Sequence, residues 1–357
     1  MGIQHEFKFG IEAEFALVEQ NSFRPLWYRD VTFQRLNTIL ESIPVSDLGM
    51  DGLKIEPPHR KQMPYVVEGY HLPDAEMNPI DLLPKGIEIR TPVSTSVDSC
   101  VDLLRTLYRR LQDALAQADY AAVPISFHPL EDSFEGPQNK RRNDFWQWAM
   151  EAMVTYGGDI NIHLPEELRA IIDIRDLDAK VNYYGPAITA LTLASPIARG
   201  GLWTIRGRVG KSIRTYHRSV IAPAIEIHPD QNQRFEFKLF DMPLQLDEFR
   251  GLLLLWLVLL LANDLPGRAS KETRVYDLGN IARLGFEAET AFERAAEVLD
   301  LAPSVLGRYG FDPAPLKTFQ QRLRTKRLPA DEIIDLYRQE RGIPEVLRRL
   351  TVTPRIP

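Results

Sequence analysis

An α+β protein built on an antiparallel sheet, with helices against one face and the other face left open, is what the sequence predicts. Three observations carry this. Six segments between His5 and Asp241 alternate apolar and polar residues with period two, helical stretches separate them, and the polar positions collect Glu, Asp, Asn, His, Arg and Lys. Solvated sheet faces are filled mainly by Thr, Lys, Ser and Gln, so such a composition marks a face that binds something. With 357 residues, 44% of them hydrophobic and 26% charged, the chain is long enough for a substantial core. A net charge of −6 disfavours nucleic acid or an anionic membrane as the main partner and leaves room for a local basic pocket.

The opening segment, His5 to Leu17, is the clearest strand. Phe7, Phe9, Ile11, Ala13, Phe15 and Leu17 fall on one side, and Glu6, Lys8, Gly10, Glu12 and Glu14 on the other. Same-face neighbours on a strand lie roughly 6.5–7 Å apart, so Glu12 and Glu14 suit two neighbouring hard cations, or one cation and a substrate. Read alone, the stretch fits equally well a half-buried edge strand with solvated glutamates. A turn at Asn21–Pro25 and a helix over Val31–Ile43 follow. Val45–Pro84 is irregular and proline-rich, and reads as a long loop.

Gly86–Pro92 is a short strand with Glu88 and Arg90 on its polar side. Ser96–Asp119 is an amphipathic helix, Ala122–His128 a strand, and Lys140–Met153 a helix whose Phe145, Trp146 and Trp148 suit packing better than base stacking. Gly157–Leu164 repeats the opening design, with Asp159, Asn161 and His163 on its polar side. Ala187–Ala194 reads as a short helix, and Trp203–Ser219 as an arginine-rich connection. Ala224–His228 and Arg234–Asp241 form a hairpin, placing Glu226, His228, Arg234, Glu236 and Lys238 on polar faces. Leu252–Ala262 is too short to span about 30 Å of hydrocarbon and reads as a buried central helix. Helices over Ile281–Leu299 and Pro315–Leu350 end the chain.

The single cysteine, Cys100, excludes an intramolecular disulfide and reads as a small buried residue. The N-terminus runs straight into a patterned strand without a leader-like succession, so a cytoplasmic location is the expectation.

Glu12, Glu14, Glu88, Asp159, Asn161, His163, Glu226, His228 and Glu236 share the open face. Crowded carboxylates repel one another unless cations sit among them, and oxygen-rich ligands with few imidazoles favour Mg²⁺ or Mn²⁺ over zinc. Arg206, Arg208, Lys211, Arg214 and Arg218 form a basic run suited to polyphosphate, the alternative being a solvated loop. GRVGKS within that run is not a phosphate-cradling loop, because it has too few residues between its glycines and no apolar strand before it.

Taken together and in order, FGIEAEF, PKGIEIRTP, TYGGDINIHLP, GKSIRTYHRS and RFEFKLFD resemble the glutamate–cysteine ligase and carboxylate–amine ligase family, whose catalytic domain has a glutamine-synthetase-like fold. The resemblance implies a curved antiparallel β-sheet with one open catalytic face and helices on the other, related also to guanido kinases, that binds ATP and two or three Mg²⁺ ions. It implies Glu12, Glu14, Glu88, His163 and Glu236 as metal ligands, and Arg214, Arg218 and Lys238 as catalytic contacts. Arg206, Arg208, Lys211 and Arg90 are the nucleotide-binding candidates. Lys238 stands where the family pattern leads one to expect Arg, keeping the charge without the bidentate fork.

The implied reaction activates a carboxylate, the γ-carboxyl of glutamate in the leading case, as an acyl phosphate and joins it to an amine such as cysteine. A phosphotransferase that stops at phosphate transfer, or a non-catalytic nucleotide-binding relative, remains open. Residues 1–300 are expected to form the ligase domain and 301–357 a helical cap in the same globule. The expected partners are small molecules, with neither nucleic acid nor membrane, and the sequence leaves a homo-oligomer open.

Overall fold

A computed structural model of the protein describes residues 3–138, 143–221, 223–231 and 233–351. Its centre is strand β1 (Lys8–Glu19), in which Phe9, Ile11, Ala13 and Phe15 are buried in the core and Glu12 and Glu14 alternate onto the other face. The remaining strands of the main sheet are β2 (Tyr65–Pro73), β3 (Pro79–Arg90), β4 (Tyr120–Val123), β5 (Gly158–His163), β6 (Glu226–His228) and β7 (Arg234–Phe237). They run in the order β6-β7-β5-β1-β3-β2, all neighbours antiparallel, and β4 pairs with the second half of β1. The sheet curls into an antiparallel half-barrel, as expected.

Helices flank it, most of them behind the sheet and the last two at one end of its open face. They are α1 (Phe33–Glu41), α2 (Val97–Ala116), α3 (Asn143–Ala152), α4 (Glu166–Arg169), α5 (Ile174–Ala190), α6 (Ile213–Arg218), α7 (Glu248–Leu261), α8 (Lys271–Leu284), α9 (Glu289–Arg308), α10 (Lys317–Thr325), α11 (Pro329–Glu340) and α12 (Ile343–Thr351). Ser96 caps α2 by accepting from the Ser99 amide, and the helix buries Leu104, Leu107, Leu111 and Leu115 against the sheet. The leucine-rich α7 is enclosed by α2, α5 and α9, and its Trp256 stacks on Phe237 of β7 at 4.5 Å. Each such large apolar side chain contributes about 1.5–3 kcal/mol on burial. Among the described residues no helix is long and apolar enough to cross a membrane.

Several expectations are corrected. The segment read as a loop contains all of β2 and the first half of β3, which pair along their lengths apart from register shifts at Glu68/Gly69 and Leu72/Pro73. Those shifts and the prolines erased the period-two signal. The helix placed at Ala187–Ala194 is the end of α5, which begins at Ile174 and carries Pro186 in its interior. The strand expected to reach His128 stops at Val123. The start of the helix expected from Lys140 and the Phe145 side chain lie outside the described residues, whereas Trp146 packs on a small cluster with Trp27, Tyr70 and Phe134.

At the C-terminus the chain passes residue 300 inside the continuous helix α9. Beyond it, Ile333, Ile343, Val346 and Leu347 of α11 and α12 cover Ala16, Val18 and Val123. Ala16 and Val18 share the face of Glu12 and Glu14, so these helices close one end of the open face.

Candidate active site

Strand pairing turns the alternating pattern into rows across the inner face. Glu12 lies between Arg90 of β3 and Asp159 of β5, and Glu14 lies opposite Glu88. Asn161 lies opposite Glu236, Glu236 opposite Glu226, and His163 opposite Lys8. Glu12, Arg90, Asn161, His163, Arg234 and Glu236 contribute to the wall of a cavity of about 610 Å³. Leu53, Lys54 and Glu56, from the connection preceding β2, form part of its rim.

On the β1–β2–β3 side carboxylates are in excess. Glu12, Glu14, Glu56, Glu68 and Glu88 have Lys85 and Arg90 among them, and Arg214 and Arg218 act on Glu14 as well. Lys85 is buried and donates to Glu14 Oε1 at 2.7 Å and to the Thr155 carbonyl at 3.0 Å, while the Gly157 amide donates to Glu14 Oε2 at 2.8 Å. Burial pushes Glu14 up, but Lys85, Arg218 and Arg214 outweigh it and hold the carboxyl below its usual range. Glu88 lacks that relief. Burial, together with Glu68, Glu12 and Glu14, lifts it well above the usual range despite Arg90 at 2.5 Å. Burial also lifts Glu68 to about 7 against the pull of Lys85.

On the β5–β6–β7 side the protein supplies its own cations. Lys238 Nζ contacts Glu236 Oε1 and lies 3.3 Å from Glu226 and 3.5 Å from Asp159. Glu236 Oε2 lies 2.6 Å from His228 Nε2 and 3.0 Å from Arg234 Nη1. Burial raises the Glu236 pKa, and Lys238 and Arg234 overcome it, holding the carboxyl below its usual range. Asp159, at the seam beside Glu12, is lifted by burial to about 7 against the pull of Lys238. Asn161 bridges the two sides, donating to Glu12 Oε1 at 3.0 Å and accepting from Arg234.

The basic run divides. Arg214 and Arg218, four apart on α6, act on Glu14. Arg214 is 2% exposed and donates to the Phe240 carbonyl at 2.7 Å, occupying the space that a side chain at Gly157 would take. Arg218 lies 3.4 Å from Thr155 Oγ1. The frame of α6 is Asp241, fully buried, which accepts from the Ala194 amide and from Ser195, Ser212 and Thr215 at 2.8–3.0 Å. Ser212 also caps the helix.

Arg206, Arg208 and Lys211 are not brought into the cavity. Arg208 pairs with Glu287 at 3.1 Å, Lys211 with Asp331 at 2.5 Å, and Arg206 lines a separate surface hollow with Tyr216 and Tyr276. The short hairpin before α6, with left-handed backbone at Arg206 and Gly207, turns them away. His163 lines the cavity but is two same-face positions from Asp159, roughly 13 Å along the strand, and burial lowers its pKa beside Arg169 and Lys8. It is not gathered with Glu12, Glu14 and Glu88. Reading the sequence missed Glu68, Lys85 and Asp241. Val66 and Glu68 do alternate, but the bulge that follows hides the strand.

Glu88 with Glu12, Glu14 and Glu68, the carboxylates whose charges act on it, makes an all-oxygen donor set of the kind that suits Mg²⁺ or Mn²⁺.

The curled half-barrel with helices is also the fold of the ligase structures that the chain resembles. It superposes on a bifunctional glutathione synthetase from Pasteurella multocida with a TM-score of 0.63 at 13% identity, covering 98% of this chain and 54% of that one. The chain thus spans about half the length of that protein. A glutamate–cysteine ligase from Francisella tularensis in complex with AMP gives 0.60 at 13% identity, covering 97% and 88%. The ligase PafA in complex with the prokaryotic ubiquitin-like protein Pup gives 0.53 at 11%, covering 98% and 68%. No curated protein matches in sequence. Residues 8–220 match glutamate-cysteine ligase family 2, and the chain belongs to that family.

Proposed function

We propose that this protein is an ATP- and Mg²⁺-dependent carboxylate–amine ligase that activates the γ-carboxyl of glutamate and joins it to an amine such as cysteine. The observation that carries the reading is a cavity walled by Glu12, Glu56 and Glu236, with buried Glu88 and its neighbours Glu14 and Glu68 in the adjoining rows of the sheet, in a chain of this family. The nucleotide held by the Francisella neighbour, AMP, agrees with ATP as the co-substrate.

In this reading a carboxylate oxygen of the donor attacks the γ-phosphorus, the bond to the bridging oxygen breaks, and ADP leaves. The amine nitrogen then attacks the acyl carbon, phosphate departs and the nitrogen loses a proton. Glu88 and, around it, Glu12, Glu14 and Glu68 are the residues that would hold a divalent ion, and the ion would supply neutralisation of the charge that develops during phosphoryl transfer. Arg90, held by Glu12, Glu56 and Glu88, presents fixed positive charge on the cavity wall, and Arg218 does so beside Glu14. Residues 1–300 carry the chemistry, and the C-terminal helices exclude water from one end of the face.

Incubation with ATP, Mg²⁺, glutamate and a panel of amines should give amine-dependent ADP release and a γ-glutamyl amide by mass spectrometry. A phosphorylated product without amide would identify a phosphotransferase. Absence of amine-dependent turnover with every carboxylate tried would refute the ligase reading.

A further inference from the structure

Among the described residues, one set brings three metal-type ligand atoms within 4.8 Å of one another, namely Glu226, His228 and Glu236. By spacing alone it is a metal site. The same carboxylates, however, already surround a cation of the protein's own. Lys238 Nζ contacts Glu236 and lies within ion-pair distance of Glu226 and Asp159, so three carboxylates from β5, β6 and β7 share one ammonium. The remaining Glu236 oxygen is engaged by His228 and Arg234, so three partners of the protein's own already crowd that carboxylate.

We propose that Lys238 is a resident counter-ion that takes the place of a divalent metal at the Asp159–Glu226–Glu236 node, confining metal binding to the β1–β3 side. The positive charge is what matters. An ammonium is a compact point charge with three donors and fits between three carboxylates, and a guanidinium at the same place would keep that charge with a different donor geometry. Lys238 is thereby a positioning residue, fixing Glu236 and the hairpin of β6 and β7 against β5 without waiting for an ion. The consequence is a metal requirement smaller by one ion than the count of acidic side chains suggests.

The inference rests on the metal-binding part of the proposed function and not on the ligation chemistry. Bound Mn²⁺ per chain, counted by electron paramagnetic resonance, tests it in the wild type, Lys238→Met, Lys238→Arg, Glu226→Gln and the Lys238→Met/Glu226→Gln double variant. The wild type, Glu226→Gln and Lys238→Arg should bind the same number of ions. Lys238→Met should bind one more, and the double variant should lose that gain. A lower count in Glu226→Gln than in the wild type, or no gain in folded Lys238→Met, overturns the inference.

Should Lys238→Met unfold when metal-free, recovery of its circular dichroism on adding Mn²⁺ supports the proposal, and failure to recover overturns it. Absence of Mn²⁺ binding in every protein would instead refute the metal reading itself, which keeps the two failures distinct.

Discussion

Glu88 and Glu236 lie on either side of β1 in the same sheet, and both are almost completely buried, at 5% and 4% exposure. Their acidities nevertheless move in opposite directions, Glu88 well above the usual carboxylate range and Glu236 below it. Burial is shared and cannot be the difference. Glu236 has Lys238, Arg234 and His228 around it, whereas Glu88 shares the single Arg90 with Glu12 and Glu56 and is repelled by Glu68 and Glu14. Crowded carboxylates require cations, and the protein supplies more of them to Glu236 than to Glu88.

The frame common to both sides is the most sensitive point. Asp241→Ala should cost about 3–5 kcal/mol of stability, because it strands the polar groups converging on a buried carboxylate. Thermal and urea unfolding would measure this, and a loss below about 1 kcal/mol would show that α6 is held some other way. Next, Glu12→Gln or Glu88→Gln should lower turnover by about 10²–10³-fold, the usual size of losing one electrostatic contact at a phosphoryl site. Steady-state ADP release checks it. Retained activity in Glu88→Gln would erase the distinction between the two sides.

A smaller change should follow Gly157→Ala. Its new Cβ would collide with the Arg214 guanidinium, displacing the arginine at a cost of about 1–3 kcal/mol, measurable by chemical denaturation. The smallest effect is in pH. Glu68 rises from 4.5 to about 7 on folding, so the metal-free fold binds more protons than the unfolded chain between those values. The stability due to this group is present below pH 4.5 and is lost as pH rises through about 7. Mn²⁺ competes with that proton, so its affinity should strengthen by up to roughly tenfold per pH unit below 7 and level off above it. Calorimetric titrations at pH 6, 7 and 8 would show the trend, and a pH-independent affinity would contradict it.

Much of the inner face was legible because β1, β5 and β7 obey strict alternation, so Glu12, Glu14, Asp159 and Glu236 could be assigned to it from sequence. The outer part was not. In β2, the irregularity after Glu68 and the proline at residue 73 break the period, and with the strand went Glu68. The basic run misled for a different reason. Proximity in sequence suggested a single patch, whereas only Arg214 and Arg218 have the helical spacing that aims two side chains the same way, and the turn at Arg206–Gly207 sends the earlier cations elsewhere. Lys85 was invisible because nothing local distinguishes a lysine that will bury itself against Glu14 from one in solvent.

Crystals soaked with Mn²⁺ and a non-hydrolysable ATP analogue test the central claim most directly through anomalous scattering. The account predicts Mn²⁺ peaks beside Glu12, Glu68 and Glu88 and none among Asp159, Glu226 and Glu236, where Lys238 should remain. A peak at the Glu226–Glu236 node with Lys238 displaced, or no peak on the β1–β3 wall, would contradict it.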